Sequence, residues 1–290
     1  MAVFAADQAG GADKVVALAI SQDMFKFWPE PNFKDLVFFF AAAITIMFGS
    51  IPQQDVFQRV MSANSVKAAT HGPVIGGICY ILFAFVPMFL VVSALLIMPD
   101  KAAALIAQDP QKVLPTLVME QMPFVMQVLF FGALLSAIKS CASATLLAPS
   151  VTFTENIWRQ FHPHQSDKQE LRAMRMTVLV FSVLVLSYAI AMQGTSIYEM
   201  VSGAYQVPLV GAFVPLVFGL YWPRATTQGA VFAIGLGLLT WGLVMFTPAG
   251  LEFPAQLAGL MASLVGMLGG SLGPQTIRNA HASHHKLVTS

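Results

Sequence analysis

Residues 36–63, from Leu36 to Ala63, read LVFFFAAAITIMFGSIPQQDVFQRVMSA. The stretch opens as an apolar run and turns polar at Gly49-Ser-Ile-Pro-Gln-Gln54. An apolar run of this length suits a helix that crosses a membrane. Gly49 and Pro52 interrupt that helix, and Gln53 and Gln54 follow at membrane depth. Lipid satisfies neither freed backbone groups nor amide side chains. The break therefore reads in one of two ways: as part of a polar solute or ion pathway, or as a plain proline kink near a helix end. Beyond it, residues 55–68 are amphipathic. Asp55 and Arg59 are spaced four apart, as on one face of a solvated helix on the inner side of the membrane.

The rest of the chain has the same character. Of its 290 residues 57% are hydrophobic and only 10% charged, and the mean hydropathy is +0.71. A soluble domain carries about 25% charged residues, so an ordinary globular protein is excluded. Seven stretches have roughly bilayer length: 36–54, 73–98, 124–152, 174–193, 200–221, 228–247 and 254–273. They are continuous rather than alternating, which argues against barrel strands. The fold class is all-α, a polytopic membrane protein of about seven transmembrane helices whose environment is a lipid bilayer. Fifteen Lys+Arg against 14 Asp+Glu give no basic surface for nucleic acid. Cys79 and Cys141 are the two cysteines, far apart in sequence and each in an apolar run, which rules out a disulfide framework or a cysteine zinc site.

Charge in the connecting segments sets the orientation. With residues 1–35 outside, the inner segments hold Arg59, Lys67, Arg159, Lys168, Arg172, Arg175, Arg224, Arg278 and Lys286; the outer ones hold Lys14, Lys26, Lys34, Lys101 and Lys112. Nine against five follows the positive-inside rule. Residues 1–35 are then an extracellular or periplasmic loop segment, 36–275 the membrane-spanning domain, and 276–290 a cytoplasmic tail. The expected location is the plasma membrane, bacterial inner membrane, with the N-terminus out and the C-terminus in. An exported N-terminus needs a signal peptide or an earlier span, and residues 1–35 offer neither. Either the tail is short enough to cross unaided, or the chain lacks an N-terminal portion with further spans.

Ser50-Ile-Pro-Gln-Gln-Asp-Val-Phe-Gln-Arg-Val-Met-Ser-Ala63, followed by Ser65-Val-Lys-Ala-Ala69, resembles the signature after the sixth core helix of the sodium/solute symporter family. That family includes sodium-coupled sugar, proline, pantothenate and monocarboxylate carriers. Residues 132–158, GALLSAIKSCASATLLAPSVTFTENIW, are similar to its eighth core helix and the following turn. Pro215, Gly219, Trp222, Pro223, Arg224 and Gly229 resemble the end of its tenth, and Gly10-Gly11 the start of the loop after its fifth. The resemblance implies an inverted repeat of five helices plus five, with sites near the midplane between the repeats. The first five spans would be the second repeat, spans six and seven trailing helices, and the first repeat a missing N-terminal half or a complementary chain. It also implies ion-coupled symport of a small organic solute by alternating access, with no organic cofactor and with Na+ or H+ as the coupling ion.

The same resemblance implies half of an ion site: the backbone carbonyl of Ala137 with side chains at Ser140 and residue 141. Residue 141 is Cys. A hard cation prefers oxygen, so the thiol leaves the choice between Na+ and H+ open. Lys139 is a coupling candidate. It sits mid-span, where a charge costs about 2.5–3.5 kcal/mol on insertion scales. With Ala137 at 0° and about 100° per residue, Ser140 falls near 300°, Cys141 near 40° and Lys139 near 200°. The lysine thus faces away from the ion side and calls for a carboxylate or carbonyl elsewhere, or takes part in proton coupling. Glu155, sixteen residues on, is about 24 Å away along the helix. A structural ion pair or a snorkelling lysine is the other reading.

Ser50, Gln53, Tyr80, Ser202, Tyr205 and Gln206 are substrate-cavity candidates in spans one, two and five; each equally suits helix–helix hydrogen bonding. Pro208 and Pro215 are expected to kink span five. His162, His164, His281, His284 and His285 read as solvated. No nucleophile–base, paired-carboxylate or phosphate-loop arrangement points to an enzyme. The alternatives to transport are a membrane-embedded sensory input module of a signalling protein and a nonfunctional truncated gene product. About 17 hydrophilic residues after the last span favour transport over signalling.

Overall fold

The computed structural model describes residues 1–162 and 166–276, with the side chains of Gln54, Asp55, Gln58 and Arg59 outside the described set. His164 and the tail residues Arg278, His281, His284, His285 and Lys286 likewise lie outside the described residues. Every element among the described residues is helical. In order they are α1 (Ala2–Gln8), α2 (Ala12–Ser21), α3 (Phe33–Gly49), α4 (Gln54–Met61), α5 (Val66–Ile97), α6 (Pro99–Gln108), α7 (Val113–Gln121) and α8 (Phe124–Phe153). There follow α9 (Arg159–Phe161), α10 (Asp167–Ala191), α11 (Ile197–Pro208), α12 (Val214–Tyr221), α13 (Thr227–Met245), α14 (Ala249–Glu252) and α15 (Ala255–Leu272).

Six helical stretches among the described residues are long and apolar enough to cross a membrane: Val66–Ile97, Phe124–Phe161, Asp167–Ala191, Ile197–Tyr221, Thr227–Met245 and Ala255–Leu272. They correspond to six of the seven expected spans. The seventh differs, because α3 has 17 residues and stops at Gly49, short of the expected end. At 1.5 Å per residue it measures about 25 Å, against a hydrocarbon core of about 30 Å. The cause is local: Ser50–Pro52 form a turn closed by the Ile51 N–H donating to the Phe48 carbonyl at 3.3 Å. The amphipathic stretch also divides. It supplies α4, and after a break α5 starts with the Ser65 hydroxyl accepting from the Ala68 N–H at 3.2 Å.

Polar starts and irregular turns punctuate the other spans. The Asn32 side chain caps α3 by accepting from Asp35 N–H at 2.8 Å. Thr226 caps α13 through Gly229 N–H at 3.1 Å, and Ser166 with Gln169 forms a capping box on α10. Span five contains a π-helical turn, Leu209–Phe213, between α11 and α12. Pro208 and Pro215 flank it, so the irregularity lies where a missing N–H disturbs the ladder.

The chain forms two compact units, residues 1–27 with 58–196, and residues 28–57 with those from 197 on. In the first unit Ala5 of α1, Leu90 and Ala94 of α5, Ala102 of α6, and Leu117 and Val118 of α7 close a core in which each is buried. Residues 1–21, within the segment expected outside the membrane, hold two helices, α1 anchored in this core and α2 packed on α5. Gln127 ties α7 to α8 by donating to the Met119 and Met122 carbonyls, both at 2.9 Å. In the second unit α13 and α15 form the most extensive helix pair. Small residues let them approach: an added Cβ at Gly266 would lie 2.6 Å from the Phe232 carbonyl oxygen. Buried Gln228 fixes the end of α15. Its amide donates to the Gly270 and Pro274 carbonyls at 3.2 and 2.9 Å and accepts from the Thr276 N–H and hydroxyl at 2.7 and 2.8 Å.

Candidate functional site

Ala137, Lys139, Ser140 and Cys141 all lie on α8 in the first unit. The helix is continuous over 30 residues with Lys139 near its centre, so the angular positions expected for these residues hold. Every residue from Gly132 to Ser143 is exposed. The side chains facing out of this segment must therefore be judged by what they bond within the chain.

Hydroxyls on α8 fall into two groups. Thr145, Ser150 and Thr152 turn back on their own helix, donating to the carbonyls of Cys141, Leu146 and Ala148 at 2.8, 2.7 and 3.1 Å. Thr154, in the π-helical turn after α8, donates to the Ser150 carbonyl at 2.8 Å. Ser136, Ser140 and Ser143 have no such bond and no other hydrogen-bond partner among the described residues. Lys139 likewise pairs with no carboxylate among them. At about 100° per residue, Ser136 falls roughly 60° and Ser143 roughly 40° from Lys139 around the helix axis. Ser136, Lys139, Ser140 and Ser143 follow the i, i+3, i+4, i+7 spacing of a single helix face. Sequence reading picks out Lys139 and Ser140 but not Ser136 as a partner, although that spacing is legible.

The remaining candidates are divided between the units. Tyr80 of α5 belongs to the first unit and is 75% exposed. Ser50, Gln53, Ser202, Tyr205 and Gln206 belong to the second, where all five are half-buried. There the end of α3 meets α11, with buried Gly49 directly against the Tyr205 backbone carbonyl. A side chain at position 49 would collide with that carbonyl. Phe48 stacks on Phe213 of the π-helical turn, with ring centroids 4.9 Å apart and planes 5° from parallel. The Ser50 hydroxyl donates to the Met47 carbonyl at 3.0 Å, and Gln206 Oε1 accepts from Trp241 Nε1 at 2.8 Å. The Gln206 oxygen is thus engaged between helices. Nothing in the spacing of two separate spans marks Trp241 as its partner.

The first unit also holds an apolar groove of about 830 Å³ between α2 and α5, lined by Val15, Ala19, Phe85, Met88 and Val92, with Lys26 beside it. None of the candidate site residues lines it.

A family model, the sodium:solute symporter family, matches residues 1–237. The chain belongs to the sodium:solute symporter family. Its match spans α1 to the middle of α13, including all of α8 and the Gly49–Gln53 break. This symporter-family chain is similar to sodium/myo-inositol cotransporter 2 of Bos taurus, at 26% identity over 243 residues, which is 77% of the chain and 36% of that protein. It is similar to high-affinity choline transporter 1 of Caenorhabditis elegans, at 26% over 247 residues, 79% of the chain and 42% of that protein. To sodium/glucose cotransporter 4 of Danio rerio it is 27% identical over 207 residues, 64% of the chain and 30% of that protein. The chain spans well under half the length of these relatives. Family membership and the apolar helices make it a multi-pass membrane protein.

Proposed function

We propose that this chain supplies the second-repeat helices of a symporter that moves a small organic solute by alternating access, driven by a sodium gradient. The rest of the site would come from a segment outside this sequence or from a complementary chain. The protein would lie in a bacterial inner membrane, N-terminus out and C-terminus in, as the distribution of Lys and Arg suggests. One observation carries the reading. On a helix where Thr145, Ser150 and Thr152 bond back to their own turn, Ser140, like Ser136 and Ser143, does not, and it follows Ala137 by three residues. A free hydroxyl and a carbonyl less than one turn apart are hard oxygen donors suited to a sodium ion. Names of the relatives add to this, since two are sodium-coupled carriers of small solutes.

Cys141 is the weak point of the half-site and gives a direct test. Exchanging sulfur for oxygen in Cys141→Ser adds a hard ligand at the same position. Sodium-driven uptake by the complete gene product in proteoliposomes is expected to half-saturate at roughly three- to tenfold lower sodium, about 1 kcal/mol or slightly more. Myo-inositol, glucose, choline and pyruvate serve as probe solutes, under an inward sodium gradient and separately under a proton gradient. Uptake driven by protons alone and unaffected by Cys141→Ser would overturn the sodium assignment. No uptake of any probe under either gradient would overturn the symporter reading.

A further inference from the structure

Four donors stand together on α8 with no acceptor among the described residues. Ser136, Lys139 and Ser143 occupy an arc of about 60° on one face, and Ser140 borders it on the ion side. All four are exposed, and none has a partner among the described residues. An ammonium at mid-bilayer with three hydroxyls is a donor-rich cationic surface, which an anion with several acceptor oxygens complements. The described residues offer none at that height. The nearest carboxylate along the helix, Glu155, pairs with Arg159 at 2.8 Å, beyond the end of α8.

We propose that this face binds the carboxylate of the transported solute, so that the substrate is a small carboxylic acid in its anionic form. This rests on the symporter reading above and names the substrate class for it. Lys139 supplies the charge, and Ser136 and Ser143 donate from one turn to either side along the helix. By the angles above, this face lies across the helix from the Ala137 carbonyl, with Ser140 between the two. Neutralising Lys139 weakens its repulsion on the cation across the helix, which couples the two: each ligand favours the other.

The test uses the complete gene product in proteoliposomes, with pyruvate as the carboxylate probe and myo-inositol, glucose and choline as uncharged or cationic probes. Pyruvate is expected to be accumulated and the other three are not. Lys139→Gln should raise the KM for pyruvate at least tenfold, Lys139→Arg should restore it to within about threefold, and Ser136→Ala with Ser143→Ala should raise it several-fold. Because Lys139 variants can fail to insert, wild-type protein in detergent is also heated with pyruvate or with propanol. Stabilisation by pyruvate alone supports the inference. Sodium-driven uptake of myo-inositol, glucose or choline without pyruvate would overturn the carboxylate site and leave the symporter reading standing. Equal KM values for pyruvate in wild type and Lys139→Gln would also overturn it. Absence of uptake of every probe would overturn both.

Discussion

Gly266→Leu is expected to break the α13–α15 pair. A Cβ at this position would already sit 2.6 Å from the Phe232 carbonyl oxygen and 2.8 Å from its carbon. Neither is the end of a flexible side chain, so the helices must separate to admit it. Separation uncouples Gly259 from Trp241 and Gly270 from Gly229, each of which is close enough for an added Cβ to lie 2.8 Å away. Overpacking of a tight interface costs about 1–3 kcal/mol and occasionally more. With backbone as the obstacle and several close approaches opened together, a cost at or above the top of that range is expected. Gly269→Leu is the matched control on the same helix: its Cβ would meet nothing within 4 Å. Thermal denaturation of detergent-solubilised protein should show a large drop in midpoint for Gly266→Leu and little change for Gly269→Leu. Equal midpoints would mean that close approach of the two helices does not stabilise the protein.

Lys139→Met is expected to tighten sodium binding measured without solute. The ammonium and the cation position lie on nearly opposite faces of one helix, about one helix diameter or 10–12 Å apart. Two like charges at such a separation repel by about 1.5 kcal/mol at the effective dielectric of a protein site. Removing one should lower the half-saturating sodium concentration by more than about tenfold. Methionine has a similar length and apolar character, and its insertion avoids the cost of about 2.5–3.5 kcal/mol for a mid-bilayer charge. Expression should therefore not fall. Tighter sodium binding together with poorer solute uptake would separate a coupling role from a structural one. Uptake with sodium and pH profiles identical to wild type would show that Lys139 plays no part in coupling.

Much of the fold is legible in the sequence because lipid imposes length and polarity on each span. Six spans are read from apolar runs, whereas the first apolar run alone carries its expected span to residue 54, past the end of α3 at Gly49. What escapes the one-dimensional reading has a common cause. The helices at residues 1–21 are short and weakly patterned, and α1 is fixed by burial of Ala5 against α5, α6 and α7, which are distant in sequence. The bond from Trp241 to Gln206 and the clamp of Gln228 on Pro274 and Thr276 join residues that no local spacing connects. Close contact at Gly237 or Gly266 depends on which helix lies opposite, whereas Gly235 and Gly242 on the same helix as Gly237 face open space. The site is legible only along α8. There the three- and four-residue spacing places Lys139 and the serines on one face, and only the hydrogen bonds distinguish Ser140 from Thr145, which donates to Cys141.

The central claim is that α8 contributes to a sodium site through Ser140 and the Ala137 carbonyl. Equilibrium binding of radiolabelled sodium to the purified complete protein, wild type against Ser140→Ala, tests it most directly. Saturable binding is expected in the wild type, weakened about tenfold when the hydroxyl is removed, roughly the worth of one hydrogen-bond-strength contact to a charged group. Saturable sodium binding that Ser140→Ala leaves unchanged, or no saturable sodium binding at all, would contradict the account.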